Sequence, residues 1–163
     1  TIRIAGDVHD LSRRLHPSIL DDLGLAKAVE AECARFAKRE GVEVDFGARG
    51  LPERVPPEVA LALYRIVQEG LANVAKHACA RRVNVSLRAD DAALHLTVAD
   101  DGLGFDRAEV RLKPGLGLSS IRERVRLVRG RHCIDSRAEA GTTIEVVVPL
   151  PAWEAAAETG KEP

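Results

Sequence analysis

Methionine is absent from this sequence, and cysteine is scarce: Cys33, Cys79 and Cys133 stand far apart and are odd in number. Their spacing excludes a cysteine metal cluster, and a disulfide scaffold is not expected at this size. Three reduced, mostly buried thiols of a cytosolic protein are expected instead. Charge of one sign is also lacking, with 24 Lys and Arg against 25 Asp and Glu. A nucleic-acid surface needs a basic surplus to displace counterions, so that partner is excluded. No apolar run has the length of a membrane span, no signal-peptide pattern opens the chain, and no internal repeat is found. A chain that begins at Thr1 and has no methionine is expected to be a piece of something longer.

What is present suffices for one domain. The chain has 163 residues, 45% of them apolar, enough for a core without staples. Ile4, Val8, Leu11 and Leu15 follow a 4-3-4 spacing, a helical stripe of coiled-coil type. Pro17 disfavours helix at His16. "SILDDLGL" reads as a short connection, with Asp21 or Asp22 as cap of the next helix. That helix runs from about Leu23 to Glu40, with Leu25, Val29, Cys33, Phe36 and Ala37 inward and Gly41 as its stop.

Val42 to Ala48 alternates as a strand. A second helix spans about Pro57 to Cys79, with Val59, Leu63, Ile66, Val67 and Val74 on its apolar side. "RVNVSLRAD" and "ALHLTVAD" form a hairpin joined at Asp90-Asp91. A helix from Leu118 to about Arg129 closes at Gly130. "RHCIDSRA" and "TTIEVVVPL" make a second hairpin around Glu139 to Gly141. Residues 151–163 have little to bury and are expected to fray. Helices interleave with paired strands, so an α/β (α+β) two-layer sandwich is expected: a mixed, mostly antiparallel sheet with helices on one face.

Four segments could carry chemistry. Glu69, Asn73, Lys76 and His77 stand at i, i+4, i+7 and i+8 on the second helix, beside its apolar stripe. Asn offers a neutral oxygen to a hard cation and Lys a charge to phosphate; a solvated helix face is the plain alternative. In "VADDGLGFD", Asp100 lies just past a strand, and Gly102 and Gly104 let a planar ring approach the backbone. Asp100, walled by apolar residues, could accept a hydrogen bond from a ligand amino group; an ordinary turn is the alternative. In "KPGLGLSSIRER", Gly115 and Gly117 precede a helix whose free N–H groups attract phosphate. No Walker A lysine follows, and no strand leads in as for a dinucleotide fold. Finally, Gly141 and Thr142 open the last strand, where a hydroxyl could reach a base directly or through water.

In this order the segments resemble the ATP-binding catalytic domain of sensor histidine kinases, within the group that also holds gyrase, Hsp90 and MutL. The polar helix resembles that family's N box, "DDGLGF" its G1 box and "GLGL" its G2 box. The likeness runs from about Leu23 to Leu150 and implies the Bergerat ATP-binding fold with ATP and Mg²⁺ as cofactors. It implies that Asp100 holds the adenine amino group, with Gly102 and Gly104 shaping the floor of the pocket. Asn73 would ligate Mg²⁺, while Lys76 and His77 steady phosphate charge. Gly115, Leu116, Gly117 and Leu118 would hinge the lid and cradle the phosphates, and Thr142 would contact the base. Glu69 stands where related ATPases keep a base; in a kinase it would assist the attacking imidazole or order the metal's waters.

The short interval from Asp106 to Pro114 between the glycine boxes resembles the lids of the nitrate-sensor and DesK-like subfamily. "LHPSILDDLGL" resembles that subfamily's link from its second dimerisation helix. Residues 1–22 would then be the remnant of that helix and its linker, 23–150 the catalytic domain and 151–163 a tail. His9 lies too close to that link to be the phosphoacceptor, which is expected upstream; His16, His95 and His132 need no function. The resemblance implies a cytoplasmic domain of a homodimer, acting on its own dimerisation domain and through a response regulator receiver domain. The full-length protein could be anchored in the inner membrane. A serine kinase that binds a sigma factor is the alternative, and a non-catalytic ATP-binding relay module a third reading.

Overall fold

A computed structural model describes residues 17–106 and 117–149. The stripe from Ile4 to Leu15, His9, His16, Gly115, Leu116 and the tail from residue 151 lie outside the described residues.

Helix α1 spans Ser18–Glu40 with Pro17 at its N-cap. It begins ahead of Asp21 and Asp22, so neither aspartate stands at the cap position expected of it. "SILDDLGL" is therefore not a plain connection: it is helical, broken at Gly24, whose φ of 76 and ψ of 173 are non-helical. The helix buries Leu25, Ala28, Val29, Cys33 and Phe36. It stops as expected at Gly41, left-handed at φ 69, whose N–H donates to the Ala37 carbonyl at 2.9 Å.

Strand β1, Glu43–Arg49, leads to α2, Pro57–Asn73. The α-helix does not run on to Cys79. Val74–Ala78 form a π-helical turn, closed by Cys79 in the left-handed region at φ 50. Strands β2, Arg82–Ala89, and β3, Ala93–Asp100, form the first hairpin. Asp90 braces its turn, with Oδ1 accepting the Ala92 and Ala93 N–H groups at 2.9 Å each.

Helix α3 spans Leu118–Leu127. Its stop differs from expectation: the left-handed residue is Arg129, at φ 53. Arg129 N–H donates to the Arg126 carbonyl and Gly130 N–H to the Val125 carbonyl, at 3.0 and 2.9 Å, the pattern of a Schellman cap. Gly130 serves close approach instead, because a Cβ there would lie 3.0 Å from the Val147 carbonyl oxygen. Strands β4, Arg131–Ser136, and β5, Thr142–Pro149, complete the fold.

The sheet order is β1-β2-β3-β5-β4, with β1 parallel to β2 and the other pairs antiparallel. Alternation sends Val83, Val85 and Leu87, Leu94, Leu96 and Val98, and Ile144, Val146 and Val148 to one face, all buried. Leu63, Ile66 and Val67 of α2 and Ile121 and Val125 of α3 are buried in the same core. Full burial of each such side chain contributes about 1.5–3 kcal/mol. Gly70 lets α2 sit low on the sheet, since a Cβ there would stand 3.2 Å from Val98 Cγ1. The two-layer arrangement is the one expected. Of the cysteines, only Cys33 is buried, and its thiol is pushed up to about 12 mainly by burial; Cys79 and Cys133 are exposed, against expectation.

Candidate functional site

The polar residues gather at one end of the sheet, beneath the C-terminal end of α2. Strand parity builds the first part. Asp100 follows Leu96 and Val98 on the helix-covered side, Thr142 precedes Ile144, and Ser136 follows Ile134. Register places Asp100 opposite Thr142 and Thr142 opposite Ser136. Three polar side chains therefore form one row across β3, β5 and β4, at the rim of an otherwise apolar face.

The two adjacent acids have separate tasks. Asp100 Oδ1 accepts the Gly102 N–H at 2.9 Å. Burial raises its pKa, partly offset by hydrogen bonds from the Gly102 and Thr142 backbone, while Asp101 raises it further. Asp101 points the other way, and its Oδ1 accepts the Arg81 and Arg82 N–H groups at 2.8 and 2.9 Å. Those bonds, Arg82 first, hold its carboxyl below the usual range. Asp101 fastens the loop and Asp100 faces the site.

Gly102 and Gly104 are needed for a reason the sequence did not show. A Cβ on Gly102 would overlap the Ala78 carbonyl oxygen, and one on Gly104 would overlap that of Arg137. The chain's own backbone fills the space that the missing side chains leave. The Leu103 N–H donates to the Ala78 carbonyl at 2.7 Å, and the Leu103 carbonyl accepts the Glu139 N–H at 2.6 Å. This loop is thus clamped between the π turn that follows α2 and the β4–β5 turn.

Glu69 and Asn73, both partly buried, lie one turn apart in the last stretch of α2. A Cβ on Gly117, which has φ 63, would collide with the Glu69 carboxylate. The N-box helix and the glycine before α3 are therefore in direct contact. The N-cap of α3 is Gly117, which has no side chain to cap with, and the first-turn N–H groups of a helix suit an anion. Leu118 buries its side chain in the core and has only backbone to offer. Lys76 and His77 are exposed within the π turn, where the wider spiral takes them out of the α-helical phase assumed from their spacing.

The family model for histidine kinase-, DNA gyrase B- and HSP90-like ATPases matches residues 58–152, more than half the chain. The chain belongs to this family. Within it the domain is of the sensor-histidine-kinase type. It is 41% identical over 145 residues to the sensor histidine kinase MctS of Rhizobium johnstonii, covering 88% of this chain and 31% of the relative. The oxygen sensor histidine kinase NreB of Staphylococcus carnosus is 38% identical over 91% of this chain and 43% of its own length. The histidine-protein kinase/phosphatase DegS of Brevibacillus brevis is 36% identical, over 88% and 36%. The chain thus spans less than half the length of these curated relatives. In fold, it superposes on the histidine kinase domain of the Erythrobacter litoralis EL346 blue-light activated kinase with a TM-score of 0.66 at 24% identity, covering 80% of this chain and 63% of that one. The ATP binding domain of PrrB from Mycobacterium tuberculosis gives 0.62 at 20% identity, over 76% and 92%. The Bergerat fold expected from the motifs is the fold of this family member.

Two polar residues escaped the sequence reading. Ser136 is 5% exposed and Glu32 is 7% exposed. Glu32 joins α1 to α2: its carboxylate accepts from Tyr64 Oη at 2.9 Å and Gln68 Nε2 at 3.3 Å, and pairs with Arg35. Its position gave a signal, since Leu25, Ala28, Val29, Glu32 and Phe36 follow one helical stripe. Ser136 occupies an inward strand position, which the alternation with Ile134 marks.

Proposed function

We propose that this domain binds Mg²⁺-ATP and transfers the γ-phosphate to a histidine on its dimerisation domain, for relay to an aspartate of a response regulator. The observation that carries this reading is the inward Asp100, raised in pKa by burial and in register with Thr142. A partly desolvated carboxylate at the end of an apolar sheet face suits a purine amino group, which donates to it between apolar walls.

Asn73 and Glu69 offer one amide and one carboxylate a helical turn apart. Such a set fits Mg²⁺, which takes few protein ligands and keeps phosphate oxygens and water for the rest. When bound, that ion would cancel charge between the phosphates. Asn73 holds the metal site, Glu69 orders its waters or assists the incoming imidazole, and Lys76 and His77 meet phosphate charge. The backbone at Gly117 and Leu118 cradles the nucleotide's phosphate end. Phosphoryl transfer needs positioning and charge stabilisation more than covalent help, and these groups supply both.

The nucleophile comes from outside residues 23–150, so this catalytic domain binds nucleotide and transfers little by itself. We place it in the cytoplasm, within a full-length homodimer. The test adds radiolabelled ATP to the chain together with an acceptor helix from the full-length protein. Acid-labile label on that helix supports histidine transfer. Acid-stable label on serine would replace this reading with that of a sigma-factor-binding serine kinase.

A further inference from the structure

Ser136 ends β4 opposite Thr142 and is almost wholly buried. Its Oγ lies 2.9 Å from the Phe105 nitrogen, 2.8 Å from Thr142 Oγ1 and 3.2 Å from the Gly141 carbonyl oxygen. Satisfying all three contacts at once selects one arrangement of the protons. The Phe105 N–H can only donate, so one Ser136 lone pair is taken. The Gly141 carbonyl can only accept, so it takes the Ser136 proton. The contact with Thr142 is then satisfied in one sense alone, with Thr142 donating to Ser136. The reverse assignment would set the Ser136 oxygen against the Gly141 carbonyl with no proton between them.

With its proton committed, Thr142 has only lone pairs left for anything else. It stands directly across from Asp100, on the same side of the sheet, where paired Cβ atoms lie about 4.5–5.5 Å apart. The rim therefore shows two acceptors side by side.

We propose that Ser136 is a specificity-determining positioning residue: by holding the Thr142 proton it makes the site read a 6-amino purine and reject a 6-oxo purine. An amino group donates to this pair of acceptors, whereas a 6-oxo group would face them with a third. The inference rests on the reading of Asp100 as the purine contact. In Ser136→Ala the Thr142 hydroxyl is free to turn outward and donate, which suits a 6-oxo group.

The experiment measures binding of ATP and inosine triphosphate, which differ at the 6-position, by calorimetry. The proteins are the wild type, Ser136→Ala, Thr142→Val and the double variant, with Asp100→Asn as control. Wild type is expected to prefer ATP. Ser136→Ala should lower the ATP-to-inosine-triphosphate preference about tenfold, the scale of one hydrogen bond. The double variant should show the same preference as Thr142→Val, because Ser136 acts through that hydroxyl. General damage to the fold would weaken both nucleotides alike and leave their ratio intact. An unchanged ratio in Ser136→Ala, while Asp100→Asn still loses ATP, overturns this inference and leaves the purine site standing. If Ser136→Ala does not fold, an unchanged ratio in Thr142→Val overturns it equally. Should Asp100→Asn bind ATP as the wild type does, both this inference and the site reading fall.

Discussion

Replacing Asp100 by Asn separates what this residue does for the fold from what it does for a ligand. The substitution preserves shape. Asn Oδ1 can keep the 2.9 Å bond from the Gly102 N–H, but the other carboxylate oxygen becomes an amide NH₂. An adenine amino group would then meet a donor where it needs an acceptor. Hydrogen bonds to charged groups contribute about 1.5–3 kcal/mol. At about 1.4 kcal/mol per decade, nucleotide affinity should fall roughly 10- to 100-fold.

The unliganded fold should respond in the opposite sense. The folded pKa of Asp100 is raised above its ordinary 3.8, first by burial and in part by Asp101. The stability contributed by this group is thus present below pH 3.8 and is lost as pH rises through the folded value. Above its ordinary range this partly buried acid therefore burdens the apo domain, and Asn relieves it. Asp100→Asn should therefore melt no lower than wild type at pH 7 without nucleotide, with any advantage shrinking as pH falls toward 4. Calorimetry with ATP and thermal unfolding at both pH values test this pair of outcomes. Undiminished affinity would refute the purine contact. Intact binding loss with a much lower apo melting temperature would show that Asp100 is chiefly a structural brace.

Asn73→Ala should abolish the Mg²⁺ dependence of ATP binding and leave adenosine binding within about twofold, as titrations with and without the ion will show. Gly102→Ala should destabilise the domain severely, by more than the ~1 kcal/mol typical of point changes, because its Cβ would overlap the Ala78 carbonyl. Gly47→Ala, whose Cβ meets nothing within 4 Å, should melt as wild type does; equal behaviour of the two variants would refute the packing account. Glu32→Ala leaves the Tyr64 hydroxyl and Gln68 amide without their acceptor and should cost about 1–3 kcal/mol in urea denaturation. Its effect on ATP affinity should be small, since the partners of Glu32 are Tyr64, Gln68 and Arg35, none of them a residue assigned to the nucleotide.

Much of the fold was legible because burial and period agree. Leu63, Ile66 and Val67 repeat at helical spacing and all lie in the core, and alternate residues of Val83 to Leu87 and Leu94 to Val98 do so in the strands. Where the reading failed, local rules were overridden. Gly24 and the preceding polar residues look like a break, yet the helical stretch continues past a single non-helical residue. The π turn is invisible because Val74 and Ala78 stand at i and i+4, which satisfies an α-helix as well as a wider spiral. The αL duty expected of Gly130 falls to Arg129 because the close approach to β5 claims the glycine.

The site shows the same boundary more sharply. That Asp100 points inward follows from alternation alone, two residues beyond the buried Val98. That Asp101 points outward and fastens the loop depends on two N–H groups twenty residues earlier, which no local pattern reveals. Gly102 and Gly104 were legible as glycines that something must approach, but the approaching group is the chain's own backbone. On the proposed reading this stretch is doubly constrained: it must fit the protein on one side and present an acceptor to the nucleotide on the other. Ser136 completes that logic. Its hydroxyl joins the Phe105 N–H of the G1 loop to Thr142 of the last strand, so the loop that holds Asp100 in place and the residue facing Asp100 share one hydrogen-bond network. Sequence spacing could not supply that link, because its three segments meet only when the hairpin registers of β3–β5 and β4–β5 are set.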